Sequence, residues 1–379
     1  MAGIYIHIPF CRQACHYCDF HFSTSLNNKQ PFLEALHKEI RLRKDFAQGE
    51  RINTIYFGGG TPSLLSADEL KRILDSLYST HEINDKAEIT LEANPDDLTS
   101  EKIRTLSATQ INRLSIGIQS FRDEDLRMMN RAHSAMQADY SVKAAQDKGF
   151  ENITIDLIYS IPELPMDAWK KNLDQAFTLN IQHISAYSLT IEPKTVFGSY
   201  EKKGMLKPVE QEVSSEQFLI MADQMKIHEF EQYEVSNFCR PGFESKHNSS
   251  YWKGEKYIGL GPSAHSFDGT SRQWNVSNNN LYIKALAENR LDHGMEMLDE
   301  RTMLNEYLMT GLRTKWGIDL EIIRSKFHFD LEKEYSDMIA DLISRKKMIR
   351  NKQQIVLTTE GLLMADKIAS DLFLLEANT

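Results

Sequence analysis

Apolar and polar residues follow a repeating order along the first half of the chain. Residues 3–8, GIYIHI, form a short β-rich run that Pro9 ends. Residues 30–47 then carry Phe32, Leu36 and Ile40 at helical spacing. The apolar run INTIYF (52–57) breaks at once into GGGTP, and Ser66 caps a helix beginning ADELKRIL, with Glu69 set for a capping box. AEITLEA (87–93) leads to NPDDL and a helix capped near Thr99, and NRLSIGI (112–118) leads to helical segments that run to Lys148. NITIDLI (152–158) precedes a helix near 166–179, and QHISAYSL (182–189) is the sixth strand. Strands alternating with helices predict βαβ units and a parallel sheet. Six units fit an α/β partial (β/α)6 barrel better than a closed eightfold one, with a doubly wound sheet as the alternative.

After residue 195 the order changes. Residues 195–290 mix helices with short apolar segments, and TSRQWNVSNNN (270–280) reads as loop. Helical segments at 299–313, 318–327 and 332–346 lead to a hairpin, MIRNKQQIVLT, and a last helix, TEGLLMADKIASDLF. The pattern thus predicts a barrel over 1–195, an extension over 196–295, and a winged-helix-like module over 296–379. From Asp299 onward the chain holds 12 Lys and Arg against 14 Asp and Glu, and the whole chain carries a net charge of −10. Neither supplies the basic surplus of a nucleic-acid reader, so no nucleic-acid partner is expected. No apolar run approaches the ~20 residues that span a bilayer, and the first residues lack the basic region of a signal peptide. A cytoplasmic protein is expected.

Chemistry gathers at the predicted strand ends, where parallel α/β folds place their ligands. CRQACHYCDF follows strand one with Cys11, Cys15 and Cys18, and the glycine triplet follows strand two. Glu92 and Asn94 end strand three, Gln119 ends strand four, and Asp156 lies near the end of strand five. Only four cysteines occur, and three are too crowded for a disulfide framework, so they read as metal ligands. Zinc would need a fourth ligand such as His7, His16 or His21. A cubic iron–sulfur cluster instead takes one thiolate per iron and leaves the fourth iron open. Cys239 reads as a small buried residue. YFGGGTP offers a tight turn or a close backbone approach to a ligand. Bulk at Gly59 or Gly60 is expected to block that ligand and spare the cluster.

The CxxxCxxC loop resembles the signature of the radical S-adenosylmethionine superfamily. YIHIPFC, YFGGGTPS, EANPDDL, RLSIGIQSF, NRAH and DLIYSIP together resemble the oxygen-independent coproporphyrinogen III oxidase-like family. The resemblance implies a [4Fe-4S] cluster on Cys11, Cys15 and Cys18. It also implies an S-adenosyl-L-methionine site lined by Tyr5, Gly59, Gly60, Thr61, Glu92, Gln119, Arg131 and Asp156. The oxidase branch has a further cysteine two residues after the third, where this chain has Phe20, and it carries a long N-terminal arm. The haem-chaperone branch ends the loop in Phe and carries HNxxYW, which here reads HNSSYW (247–252). That resemblance implies haem bound by His247, Asn248, Tyr251 and Trp252. The motif lies more than 200 residues from the cysteines and beyond the six-unit core, so a site separate from the cluster is expected. A neutral imidazole is a common axial ligand of haem iron, and the aromatic rings offer apolar surface to a porphyrin. Catalytic residues are not assigned.

The function implied is a haem chaperone that passes haem to acceptor proteins, among them respiratory-chain proteins. An electron donor such as flavodoxin or ferredoxin, a homodimer, and a cytoplasmic place with peripheral membrane contact go with it. The alternative is a radical oxidative decarboxylation of coproporphyrinogen III. A third class is a zinc-bound winged-helix interaction protein. If His247 is not the haem ligand, other histidines, such as His265 in GPSAHSF, become the candidates.

Overall fold

The computed structural model describes residues 2–375. Six parallel strands build the wall that carries the site: β1 (Ala2–Ile8), β2 (Ile52–Gly59), β3 (Ile83–Ala93), β4 (Arg113–Gln119), β5 (Asn152–Tyr159) and β6 (His183–Ser188). Alternation along each strand sorts the side chains. In β1, Ile4, Ile6 and Ile8 are fully buried in the main core, whereas Tyr5 lines the interior cavity. In β4, Leu114, Ile116 and Ile118 join the core while Arg113, Ser115, Gly117 and Gln119 face the cavity. The helices follow the expected caps. Ser66 and Glu69 form the capping box of Ala67–Thr80, and Thr99 accepts from the Lys102 amide.

The sheet does not stop at six strands. On one side it adds β8 (Asn237–Cys239) and β7 (Glu231–Gln232), both antiparallel. On the other, β9 (Lys256–Leu260) pairs parallel to β1, followed by antiparallel β10 (His265–Phe267), β11 (Ser271–Asn275) and β12 (His293–Met297). The result is a 12-stranded sheet. The loop expected over 270–280 is instead β11 and the start of a helix, Asn279–Ala287, which Asn278 caps through the Asn280 and Leu281 amides. Its polar sequence concealed a strand fixed by neighbours on both sides, where pairing overrides propensity.

A buried ion pair ties this extension to the barrel. Glu39 accepts from Arg43 Nε at 2.9 Å, from the Tyr282 hydroxyl at 2.6 Å and from the Gly261 amide at 2.8 Å, while Arg43 also donates to Asn275. With this many bonds the pair is satisfied, and removing one partner costs about 3–5 kcal/mol. Segment 196–295 therefore shares the barrel core, through Ile258, Leu260, Tyr282 and Leu286. A second core, from Leu304 to Leu372, belongs to the C-terminal module. There helices Glu300–Leu312, Leu320–Phe327 and Ser336–Ser344 pack with a three-stranded sheet, β13 (Ile318–Asp319), β15 (Gln354–Leu357) and β14 (Met348–Asn351).

Candidate functional site

One cavity of about 620 Å³ runs through the barrel interior. Cys11, Cys15 and Cys18 line it together with Tyr5, Gly59, Gly60, Thr61, Glu92, Gln119, Arg131 and Asp156. All eleven residues expected at the cluster and the S-adenosylmethionine site thus meet in one space.

The loop after β1 is fastened at several points. The Cys11 amide donates to Ser23 O, the Thr61 amide to Phe10 O, and the His16 amide to Met129 O. Arg131 is the central clamp, donating to Asn94 Oδ1 at 2.6 Å, to Gly117 O at 2.8 Å and to Cys15 Sγ at 3.3 Å. Burial raises the Cys11 thiol pKa, and burial pushes that of Cys18 up to about 11. Metal binding must therefore drive out these protons, as iron does from cysteine thiols. The zinc-ligand alternatives point elsewhere. His7 Nε2 bonds His21 O, His16 Nδ1 bonds Met128 O, and His21 Nε2 bonds Asn279 Oδ1. Among the described residues no three His, Cys, Asp or Glu side chains converge on a single ion. Three thiols on one cavity wall fit a cluster that spreads its irons among them.

The glycine turn has a packing cause besides any ligand. A Cβ on Gly59, which has φ +106°, would meet the His7 ring, and one on Gly60 would lie 2.7 Å from Phe10 O. Deeper in the cavity two carboxyls face each other. Burial raises the Glu92 pKa to about 7, opposed by the Tyr56 hydroxyl, which donates to Oε1 at 2.7 Å. Burial also raises Asp156 to about 6. Gln119 sits at φ +68°, a costly backbone for a side chain of its type, and Gly117 leaves room for its amide.

Sequence reasoning missed Arg113. It is buried inside the barrel, donates to Thr154 Oγ1, and leaves its Nε without a partner. The period-two pattern of β4, with Arg113, Ser115, Gly117 and Gln119 on one face, held the signal. Glu88 was missed too. Its carboxylate accepts from the amides of Lys246 and His247 and so caps the short helix Lys246–Trp252.

That helix carries HNSSYW, and it closes the floor of the same cavity rather than lying apart from it. His247, Asn248 and Tyr251 line the cavity; Trp252 does not. His247 is 2% exposed, and both ring nitrogens are taken: Nδ1 by Thr54 Oγ1 at 2.7 Å and Nε2 by the Tyr251 hydroxyl at 2.8 Å. Its ring stacks on Tyr56 at 5.1 Å between centroids. Burial, then Arg113, lower its pKa to about 3. Trp252 instead lies under the Arg313 guanidinium of the C-terminal module. The motif therefore joins the barrel floor to that module, and no free imidazole nitrogen faces the cavity from it.

A CxxxCxxC mouth on a six-stranded parallel half-barrel defines a radical S-adenosylmethionine protein, whose fold carries a [4Fe-4S] cluster and S-adenosylmethionine. The chain matches the Radical SAM superfamily over residues 5–176 and the HemN C-terminal domain over residues 298–364. Its fold follows that of coproporphyrinogen III oxidase (HemN) from Escherichia coli, with a TM-score of 0.84 at 22% identity over 98% of this chain and 90% of that one. In sequence it is 35% identical to the haem chaperone HemW of Lactococcus lactis, over 99% of this chain and 98% of the relative. It is 34% identical to the haem chaperone HemW of Bacillus subtilis, over 97% and 98%. The chain belongs to the HemW family.

Proposed function

We propose that this protein is a haem chaperone that takes up haem and hands it to acceptor proteins. One observation carries the reading: its full-length relatives are named haem chaperones, and the cysteine loop ends in Phe20, 68% exposed, where the oxidase pattern calls for another thiol. Cys11, Cys15 and Cys18 would hold the cluster, which would supply an open iron for the amino and carboxylate groups of S-adenosylmethionine and electrons for cleaving its carbon–sulfur bond. Tyr5, Gly59, Gly60, Thr61, Glu92, Gln119, Arg131 and Asp156 would line that ligand. Glu92 offers a carboxylate to a cationic group, and Arg131 fixes the position of Cys15. In this reading His247, Asn248, Tyr251 and Trp252 serve haem after the floor helix loosens, because Nε2 of His247 is held by Tyr251 while it is closed. A flavodoxin- or ferredoxin-type donor, respiratory-chain acceptors, a homodimer and a cytoplasmic place with peripheral membrane contact rest on resemblance alone. Among the described residues no helix is long and apolar enough to cross a membrane.

The test is anaerobic reconstitution followed by parallel assays. Haem titration should show stoichiometric binding, and mass spectrometry should show no decarboxylation of coproporphyrinogen III with S-adenosylmethionine and reductant. Multiple turnovers would move the protein to the oxidase class.

A further inference from the structure

We propose that His265 is the imidazole on which haem iron first lands, at an open site on the extension of the barrel sheet. The inference rests on the haem-chaperone reading and locates its ligand.

Four histidines are exposed: His228, His265, His293 and His328. None makes a side-chain hydrogen bond among the described residues, so each offers free nitrogens. Three have poor settings for a macrocycle. His228 lies flat on Phe177 with ring centroids 3.8 Å apart, and His328 ends a helix in the left-handed conformation. His293 lies on the edge strand β12 opposite Asn275 and so shares the other face of the sheet.

His265 differs because of where the register puts it. Tyr5 pairs with Gly259, and Gly3 with Tyr257, so these four positions share the interior face of the sheet. Tyr257 pairs with Phe267, His265 with Trp274, and Trp274 with Gly294. The interior face, which carries the S-adenosylmethionine-site residue Tyr5, therefore continues outward through His265 and Trp274. Its lower part is covered. Arg272 reaches Glu306 on helix Glu300–Leu312 at 2.6 Å, and Tyr251 packs on Tyr257. Its upper part is open. His265 and Trp274 are exposed, level with Gly259 near the end of β9 that points toward the cysteine loop. A Cβ on Gly259 would meet the His265 backbone and one on Gly294 the Trp274 indole, so the two glycines seat the pair close against the sheet.

The chemistry selects the ligand. A lone imidazole holds an aqueous metal ion weakly, and among the described residues no three metal-binding side chains converge to help it. It holds well an iron whose equatorial positions are already filled by a macrocycle. The ring is held neutral, since burial and then Arg272 lower its pKa, and neutral imidazole is the ligating form. Trp274 stands 6.2 Å from the His265 ring at 31° to it. A porphyrin bound through His265 lies across the imidazole plane, so the indole meets it edge to face, a favourable aromatic geometry.

The experiment is a titration of ferric haem into the full, cluster-reconstituted chain, read by Soret absorbance and electron paramagnetic resonance. The variants are His265→Ala, His265→Met and Trp274→Ala, with His228→Ala, His293→Ala and His328→Ala as matched exposed histidines. Iron and sulfide content shows that each variant keeps its fold and cluster. His265→Ala should weaken binding by roughly tenfold or more and return the Soret band toward that of free haem. His265→Met should bind with a shifted ligand-field spectrum, and the three matched variants should behave as wild type. Unchanged affinity and spectrum in His265→Ala would overturn the assignment, as would loss of the signal in one of the matched variants instead. Absence of haem binding by the wild type is a separate result, and it removes the chaperone reading together with this one.

Discussion

Replacing His247 with Ala should damage the fold before it reports on haem. The ring lies between β1, β2 and the floor helix, and its loss leaves the Thr54 and Tyr251 hydroxyls without their partner. A buried polar group left unsatisfied costs about 1–3 kcal/mol, so two of them cost about 2–6 kcal/mol, before any loss of the stacking on Tyr56. A domain stable by roughly 5–15 kcal/mol would lose a large fraction of that. The assay is urea unfolding of the chain followed by far-ultraviolet circular dichroism, compared through the midpoint. Tyr251→Phe separates structure from ligation. It removes one bond, costs about 1 kcal/mol, and frees Nε2 of His247. If His247 ligates haem once the floor loosens, Tyr251→Phe should bind haem more tightly. If the ring only holds the floor closed, haem affinity should not rise. A His247→Ala chain with a midpoint equal to wild type would refute the reasoning, because a ring held by two buried bonds cannot be removed without cost.

Three other outcomes follow from the same geometry. S-adenosylmethionine affinity should fall as pH drops through about 7, because Glu92 gains its proton there while a cationic ligand favours the ionised form; calorimetry in buffers of different ionisation enthalpy should show proton release on binding at pH 6.5, and Glu92→Gln should abolish it. Gly60→Ala should reduce iron and sulfide content as well as cofactor binding, since its Cβ would push on Phe10 O next to Cys11; full cluster content would restore the simpler expectation that the turn serves the cofactor alone. Cys15→Ala should lose the broad visible absorption of the reconstituted cluster, whereas Cys239→Ser, at a buried position in β8 away from the cavity, should keep it.

How far the sequence carried the reading depended on the range of the interactions involved. The six strand–helix units were legible because each depends on local signals: an apolar strand, a cap such as Ser66, a turn such as GGGTP. The cluster loop was legible because its three ligands lie within eight residues. The strand β11 was not, because nothing in SRQWN marks it until β10 and β12 flank it. The place of HNSSYW was misjudged for a similar reason. Its distance of more than 200 residues from the cysteines suggested a separate site, yet Glu88 and Thr54, on strands of the barrel itself, hold it against the floor. Arg113 was overlooked because a basic residue before an apolar run looks like a solvated strand end. Only the closure of the barrel turns its side chain inward.

The inward-facing charges explain why the two ends of the cavity belong together. Arg113 is buried, Glu92 and Asp156 line the cavity with their carboxyl pKa values raised by desolvation, and apolar residues of similar size would stabilise a barrel at least as well. Their retention is an argument for a ligand rather than for stability. The path between the ends is continuous and short. Glu92 takes the Tyr56 hydroxyl, Tyr56 stacks on His247, and His247 holds Tyr251, which packs on Tyr257 at the start of the extension face. Ionising Glu92 as a cationic cofactor binds changes the charge at the head of this series. The hydrogen bond from Tyr56 then strengthens, since a carboxylate accepts more strongly than a carboxylic acid. The floor helix is the first movable element that this change reaches, and through Trp252 and Arg313 it is also the element that touches the C-terminal module. A protein that must hold haem in one state and release it in another has, in this series, a physical link between the cofactor site and the surface where His265 stands.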